Sequence, residues 1–157
     1  MDVSETKGPA MARMESTVTI ARPVEEVPRF FLDLEENASK TDPGVESVVK
    51  TPPGTTGAGT TFRFRQQRLG KLRETTTTFT AVEPERKIEF DAEIGPMRPT
   101  CGLTFEQADR GTRVTLRGDS NPVGPFRLLT PLFNRKGQQV WSQRLTRIKT
   151  VLEASTR

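Results

Sequence analysis

Two side chains in this chain have the chemistry to act on a bound molecule, an arginine and a glutamate, and each depends on which way its element faces. Arg144 stands in a long amphipathic helical pattern running from Gly124 to Arg157. At about 100° per residue, Leu129, Phe133, Val140, Trp141 and Leu145 fall within roughly half of the circumference, as do Ile148, Val151 and Leu152. Arg144 and Gly137 sit near the middle of that half. The glycine leaves no side chain to fill a core, and an arginine is seldom buried without a partner. A helix with a gap and a cation in its apolar stripe implies a chamber beneath it. Facing that chamber, Arg144 could hold a carboxylate or enolate oxygen through paired hydrogen bonds. With the helix rotated, it would instead snorkel past a sheet edge to water. Glu74, if inward, would serve as its counter-ion or as a proton acceptor with a raised pKa; outward, it is a solvated strand residue.

The remaining composition narrows the chemistry by exclusion. The chain has no histidine, no tyrosine and a single cysteine, Cys101. The commonest general base and a common oxyanion donor are therefore missing. Ser-His and Cys-His nucleophiles, His-containing metal sites and thiolate zinc sites are all impossible. Gly54–Gly59 lies between strands rather than ahead of a helix and lacks a following lysine, so it is no phosphate loop. No cofactor and no metal are expected. Cys101 reads more readily as a small buried apolar residue than as a reactive thiol.

The 157 residues suit one domain, able to bury about 70% of its unfolded surface without disulfide help. Residues 1–12 read as a disordered leader and residues 13–155 as a single domain. No signal peptide and no apolar run of about 20 residues is present, so a cytoplasmic location without stable membrane insertion is expected. Charge is uneven. Residues 124–157 carry seven basic side chains and one acidic, Glu153, whereas residues 1–123 carry 17 basic and 19 acidic. The basic helix face suits an anionic surface or is simply solvated. Nucleic-acid readers add aromatic platforms or a recognisable module, and neither is found; no nucleic-acid partner is expected.

These residues need elements to position them. Met14–Arg22 alternates as a half-buried strand, and Pro23 opens a helix with Val24, Val27, Phe30, Phe31 and Leu34 at helical spacing. Asn37–Gly44 is a second short helix or turn. Six strands follow, Val45–Thr51, Thr60–Gln67, Leu72–Val82, Lys87–Ile94, Arg98–Gln107 and Thr112–Gly118, with turn signals about every 10 residues, as in an antiparallel meander. Pro131 bends or restarts the final helix. Thr75–Thr78 give no phase of their own. Phe79 and Val82 flag different faces, which a bulge would reconcile, and Glu74, Thr76 and Thr78 are expected to face inward. The resulting order is strand, two helices, six strands, long helix. Only the last helix can cover the apolar sheet face, and a curved sheet gripping one helix leaves a wedge for a small molecule.

The walls of that wedge follow. From the strands they are Phe62, Phe64, Thr76, Thr78 and Phe90, then Cys101, Leu103, Phe105 and Leu116. The helix adds Phe133, Gly137, Trp141 and Arg144. The phenylalanines are core by default, and Trp141 is either core packing or a stacking platform; in this architecture core and cavity wall are shared.

In its ordered pieces the chain resembles the SRPBCC superfamily, the START-like helix-grip proteins, and especially the polyketide cyclase/dehydrase-like branch. The similarity runs from Arg13 to Glu153. It rests on ARPVEEVPRFFLD at Ala21–Asp33, ENASKTDPGV at Glu36–Val45 and GAGTTFRFR at Gly57–Arg65. VEPERKIEF at Val82–Phe90, LTFEQADRGTRVTL at Leu103–Leu116 and LTRIKTVLE at Leu145–Glu153 complete it. One departure is Thr41, where many relatives carry a tryptophan wall residue. The resemblance implies an α+β helix-grip fold: a curved seven-stranded antiparallel sheet, two short helices, and a long C-terminal helix over the concave face. It also implies an internal cavity for a hydrophobic or amphipathic small molecule, whether lipid, aromatic or polyketide-like. The expected role is carrier or sensor. Alternatives are a polyketide cyclase/dehydratase acting in the same cavity, and an interaction module using the basic helix face. The protein is expected to be a monomer or homodimer.

Overall fold

The computed structural model describes residues 13–154, apart from Pro43 and Leu69. The expected leader at 1–12 lies outside the described residues, as do residue 155 and these two turn positions. The elements in chain order are β1 (Met14–Ile20), α1 (Val27–Leu32), α2 (Leu34–Thr41), β2 (Val45–Thr51), β3 (Thr61–Arg68), β4 (Lys71–Glu83), β5 (Lys87–Glu93), β6 (Thr100–Ala108) and β7 (Gly111–Asp119). A 3-10 helix at Gly124–Leu129 then leads into α3, Thr130–Ala154. Pro131 restarts the helix rather than bending it: in the first turn its missing N–H costs no hydrogen bond. No helix among the described residues is long and apolar enough to cross a membrane.

All seven strands form one antiparallel sheet in the order β1-β7-β6-β5-β4-β3-β2. Period-two alternation dictates its two faces. Ile88, Phe90 and Ala92 of β5, Cys101, Leu103 and Phe105 of β6, and Val114 and Leu116 of β7 are all buried on the concave side. The expected bulge is present in β4, where the register with β5 shifts between Phe79 and Ala81. Phe79 then lies opposite Phe90, and Val82 opposite Ile88.

The threonine run is phased the other way from the expectation. Thr75 pairs with Phe64 and Thr77 with Phe62, so these two share the concave face with the phenylalanines. Glu74, Thr76 and Thr78 pair with Arg65, Arg63 and Thr61 and point to the convex side. The Thr61 and Thr78 hydroxyls lie 3.1 Å apart there. The reason is that threonine marks neither face; the apolar pair on β3 decides the phase for β4.

The long helix does not lie centrally over the sheet. It is tied to the β1 edge by polar bonds: Ser16 Oγ lies 2.8 Å from Ser142 Oγ, and Lys149 Nζ donates to Thr19 O at 2.8 Å. At its start Asn134 Oδ1 accepts from the Ser120 amide at 2.8 Å, and at its end Glu153 Oε2 accepts from the Ala21 amide at 2.8 Å. Gly137 belongs to this seam. A Cβ there would run into the Met14 thioether, so the glycine permits close approach to β1 and opens no space into a chamber. With the helix drawn to one side, the concave face over β3, β4 and β5 is left to α1, α2 and the side chains of Trp141, Arg144 and Ile148.

Candidate functional site: an arginine-bearing cavity

That uncovered region encloses a cavity of about 550 Å³, within the range of small-molecule sites. Phe30, Phe31, Leu34 and Ala38 form one side from the two short helices. Phe64, Thr75, Thr77, Phe79, Phe90 and Leu103 form the sheet side, and Trp141, Arg144 and Ile148 close it from α3. The mouth lies at the end where β3 turns into β4 and β5 into β6, among Asp42, Gln66, Arg73, Glu74 and the loop Ile94–Met97.

The aromatic rings form a continuous row. Phe62 and Phe64 stack at 6.5 Å between centroids, Phe62 meets Phe79 at 5.2 Å, and Phe79 meets Phe90 at 6.3 Å. Phe90 meets Trp141 at 6.0 Å. The row ends in a cation: Arg144 Cζ lies 4.7 Å from the centroid of the Trp141 ring. A cation over the face of an indole is attracted by the ring quadrupole, which holds the guanidinium at this side of the cavity. Of the two orientations open from sequence, Arg144 takes the one toward the cavity.

Several expected wall residues lie elsewhere. Phe62 is fully buried behind the wall, wedged between Phe64 and Phe79. Phe105 packs on Phe31 at 5.5 Å, and Leu116 is fully buried. Phe133 meets Phe126 edge-on at 6.1 Å near the start of α3. Cys101 lies beneath Gly118, where an added Cβ would strike its Sγ. Burial first, then the nearby Asp119 and Asp91, push its thiol up to about 12, so it stays a protonated core residue. Thr76 and Thr78 are excluded by the strand phase, and Gly137 by the Met14 contact. Glu74 reaches only the exposed rim of the mouth.

The sequence reading missed the α1–α2 wall, Thr75, Thr77, Phe79 and Arg73. Phe30 and Phe31 were visible as a helix face, but nothing in their spacing said that half of that face would meet empty space. Thr41, in place of a large wall residue, is buried against the cavity with its hydroxyl 3.4 Å from Ala38 O. Asp42 is engaged at the mouth, its Oδ1 accepting from the Gly44 amide at 3.1 Å and its Oδ2 from Gln66 Nε2 at 3.4 Å. Among the described residues no group of three or more carboxylate or cysteine side chains converges as metal ligands would. The arrangement can therefore sequester an apolar body, orient it against aromatic rings, and hold one acidic oxygen.

Comparisons with known proteins agree with the fold. The family of polyketide cyclase/dehydrase and lipid transport proteins matches residues 11–153. No curated protein matches the chain in sequence. Among solved structures, Ara h 8.0201 is similar with a TM-score of 0.75 at 16% identity, over 91% of this chain and 98% of that one. TTHA0849 from Thermus thermophilus is similar at 0.72 and 25% identity, over 92% and 99%. The di-domain ARO/CYC protein StfQ from the steffimycin biosynthetic pathway is similar at 0.72 and 14% identity, over 88% of this chain and 49% of that one. Family and fold together support a hydrophobic-ligand-binding or polyketide cyclase-like protein. The chain belongs to the polyketide cyclase/dehydrase and lipid transport family, within the SRPBCC superfamily of helix-grip proteins.

Proposed function

We propose that the protein carries or senses an amphipathic small molecule whose apolar or aromatic body fills the cavity and whose acidic oxygen meets Arg144. One observation carries the reading: the cavity is walled by rings and aliphatic groups, and its α3 side holds a guanidinium over the face of Trp141. Burying an apolar body supplies the affinity, at about 25 cal/mol per Å² removed from water. The charged hydrogen bonds to Arg144 supply orientation and discrimination. Arg73 and Gln66 at the mouth are further donors for a ligand long enough to reach them.

Cyclisation of a poly-β-keto chain is the competing reading, and the similarity to the ARO/CYC protein StfQ brings it forward. It asks for a group that moves protons inside the chamber. The chain has no histidine or tyrosine, and Glu74 is at the exposed rim, so carriage fits the wall better. Native mass spectrometry of protein purified from its own host tests the proposal. A co-purified acidic, largely apolar compound that is lost in Arg144→Ala supports carriage. Consumption of an added poly-β-keto thioester, abolished by the same substitution, would replace it with catalysis.

A further inference from the structure

The chain exposes eight large hydrophobic residues among those described, and six of them fall on two segments tied to each other at the cavity-mouth end: Ile94 on the rim loop, and Val123, Phe126, Leu128, Leu129 and Leu132 on the connection into α3. Exposed apolar residues on a soluble surface are usually scattered singly; a cluster marks a contact. Leu128 is 88% exposed and Leu132 58%, although a leucine gains from burial wherever the fold offers it. The cluster is held in place rather than trailing. The Val123 amide donates to Pro96 O at 2.8 Å, tying the β7–α3 connection to the loop that rims the mouth. Phe126 and Leu129, three apart in a 3-10 turn, share a face, and Phe126 rests on Phe133.

The surrounding charge is of one sign. No aspartate or glutamate occurs from Ser120 to Leu152, while Arg127, Arg135 and Lys136 are exposed beside the leucines. Apolar side chains interleaved with cations on a short helical segment are the chemistry of an interfacial anchor. A second copy is a poor occupant, since a two-fold contact would oppose the same three cations. Nucleic acid would use the cations but has no need of exposed leucines. We propose that this end of the molecule, Val123 to Lys136 with the Ile94 loop, docks reversibly on an anionic phospholipid surface. The docking goes beyond the cavity reading and does not depend on what the cavity holds; it sets the mouth beside the bilayer.

Co-sedimentation with vesicles tests it, using phosphatidylcholine alone and phosphatidylcholine with phosphatidylglycerol as about a third of the lipid. Binding to the anionic vesicles only, falling as salt is raised, is expected. Arg135→Glu/Lys136→Glu should weaken it by roughly fivefold or more per charge, and Leu128→Asp/Leu132→Asp should abolish it. Val49→Asp, at an exposed apolar residue on β2, should leave it unchanged. A cavity-filling Thr77→Phe should also sediment normally, which separates failure of docking from failure of the cavity reading. Equal binding to neutral vesicles, no binding to either, or a concentration-dependent dimer dispersed by Leu128→Asp without vesicle binding would each overturn the proposal.

Discussion

The guanidinium carbon of Arg144 lies 4.7 Å from the centre of the Trp141 ring, three residues earlier on the same helix face. Neighbours at this spacing meet because helical side chains lean back over the preceding turn. The pair gives the cavity its only indole and its deepest cation, since Trp141 is the sole tryptophan of the chain and Arg73 belongs to the mouth. The proposed ligand anchor and a built-in optical probe thus occupy the same place.

Removal of the cation should cost affinity for acids far more than for neutral ligands. Arg144→Ala is expected to weaken binding of an aromatic carboxylate or sulfonate by about 10- to 150-fold, the equivalent of about 1.5–3 kcal/mol for a charged hydrogen bond. A neutral analogue should lose far less. Arg144→Lys should recover only part, because an ammonium lacks the planar fork. Isothermal titration with the paired ligands checks this, and equal losses for both would point to a packing role.

Filling the cavity should separate binding from folding. Thr77 is half-buried on the concave face between Phe62 and Ala92 of the flanking strands. Thr77→Phe places a ring in existing space, so binding should fall below detection while denaturant stability changes by less than about 1.5 kcal/mol. A stability loss of the size seen when solid cores are overpacked would mean that no usable space exists there.

The walls should answer differently from the core behind them. Phe62→Ala should cost about 3–5 kcal/mol, because Phe62 is enclosed on every side and leaves a new hole. Phe90→Ala merely enlarges the cavity that Phe90 already lines, so its cost should lie at the lower end of that range. Thr76→Val, on the convex face, should stay within about 0.5 kcal/mol. Urea melts of the three variants give the order directly.

How much of this could be read from the chain varies by element. The strands of clear alternation, Lys87–Glu93 and Thr100–Ala108 above all, announce both their existence and their faces. The bulge in β4 also follows from Phe79 and Val82 alone. The inward set of Thr75–Thr78 does not, because identical residues carry no phase and only the register with Phe62 and Phe64 supplies one. Gly137 misleads for a related reason. A missing side chain signals space, but which neighbour fills it, here Met14 from the far end of the sequence, is a tertiary fact. Arg144 was legible as a choice between two orientations, and the polar ties of α3 to β1 set the rotation that brings it inward.

Cys101 offers a check that involves no ligand. Its folded thiol holds a proton up to about 12, against an ordinary value of 9.0. Between those values the folded state binds more protons than the unfolded one, so stability should fall as pH rises through that window. Cys101→Ala should flatten this alkaline decline. At pH values below 9, iodoacetamide should label the wild-type thiol only as fast as the protein opens.

The most direct measurement is fluorescence titration with 1-anilinonaphthalene-8-sulfonate, which joins an aromatic body to one acidic group. Saturable one-to-one quenching of Trp141 with matching dye emission is expected, weakened in Arg144→Ala and lost in Thr77→Phe. Quenching that is absent, or that persists unchanged in both variants, contradicts a ligand chamber built on Trp141 and Arg144.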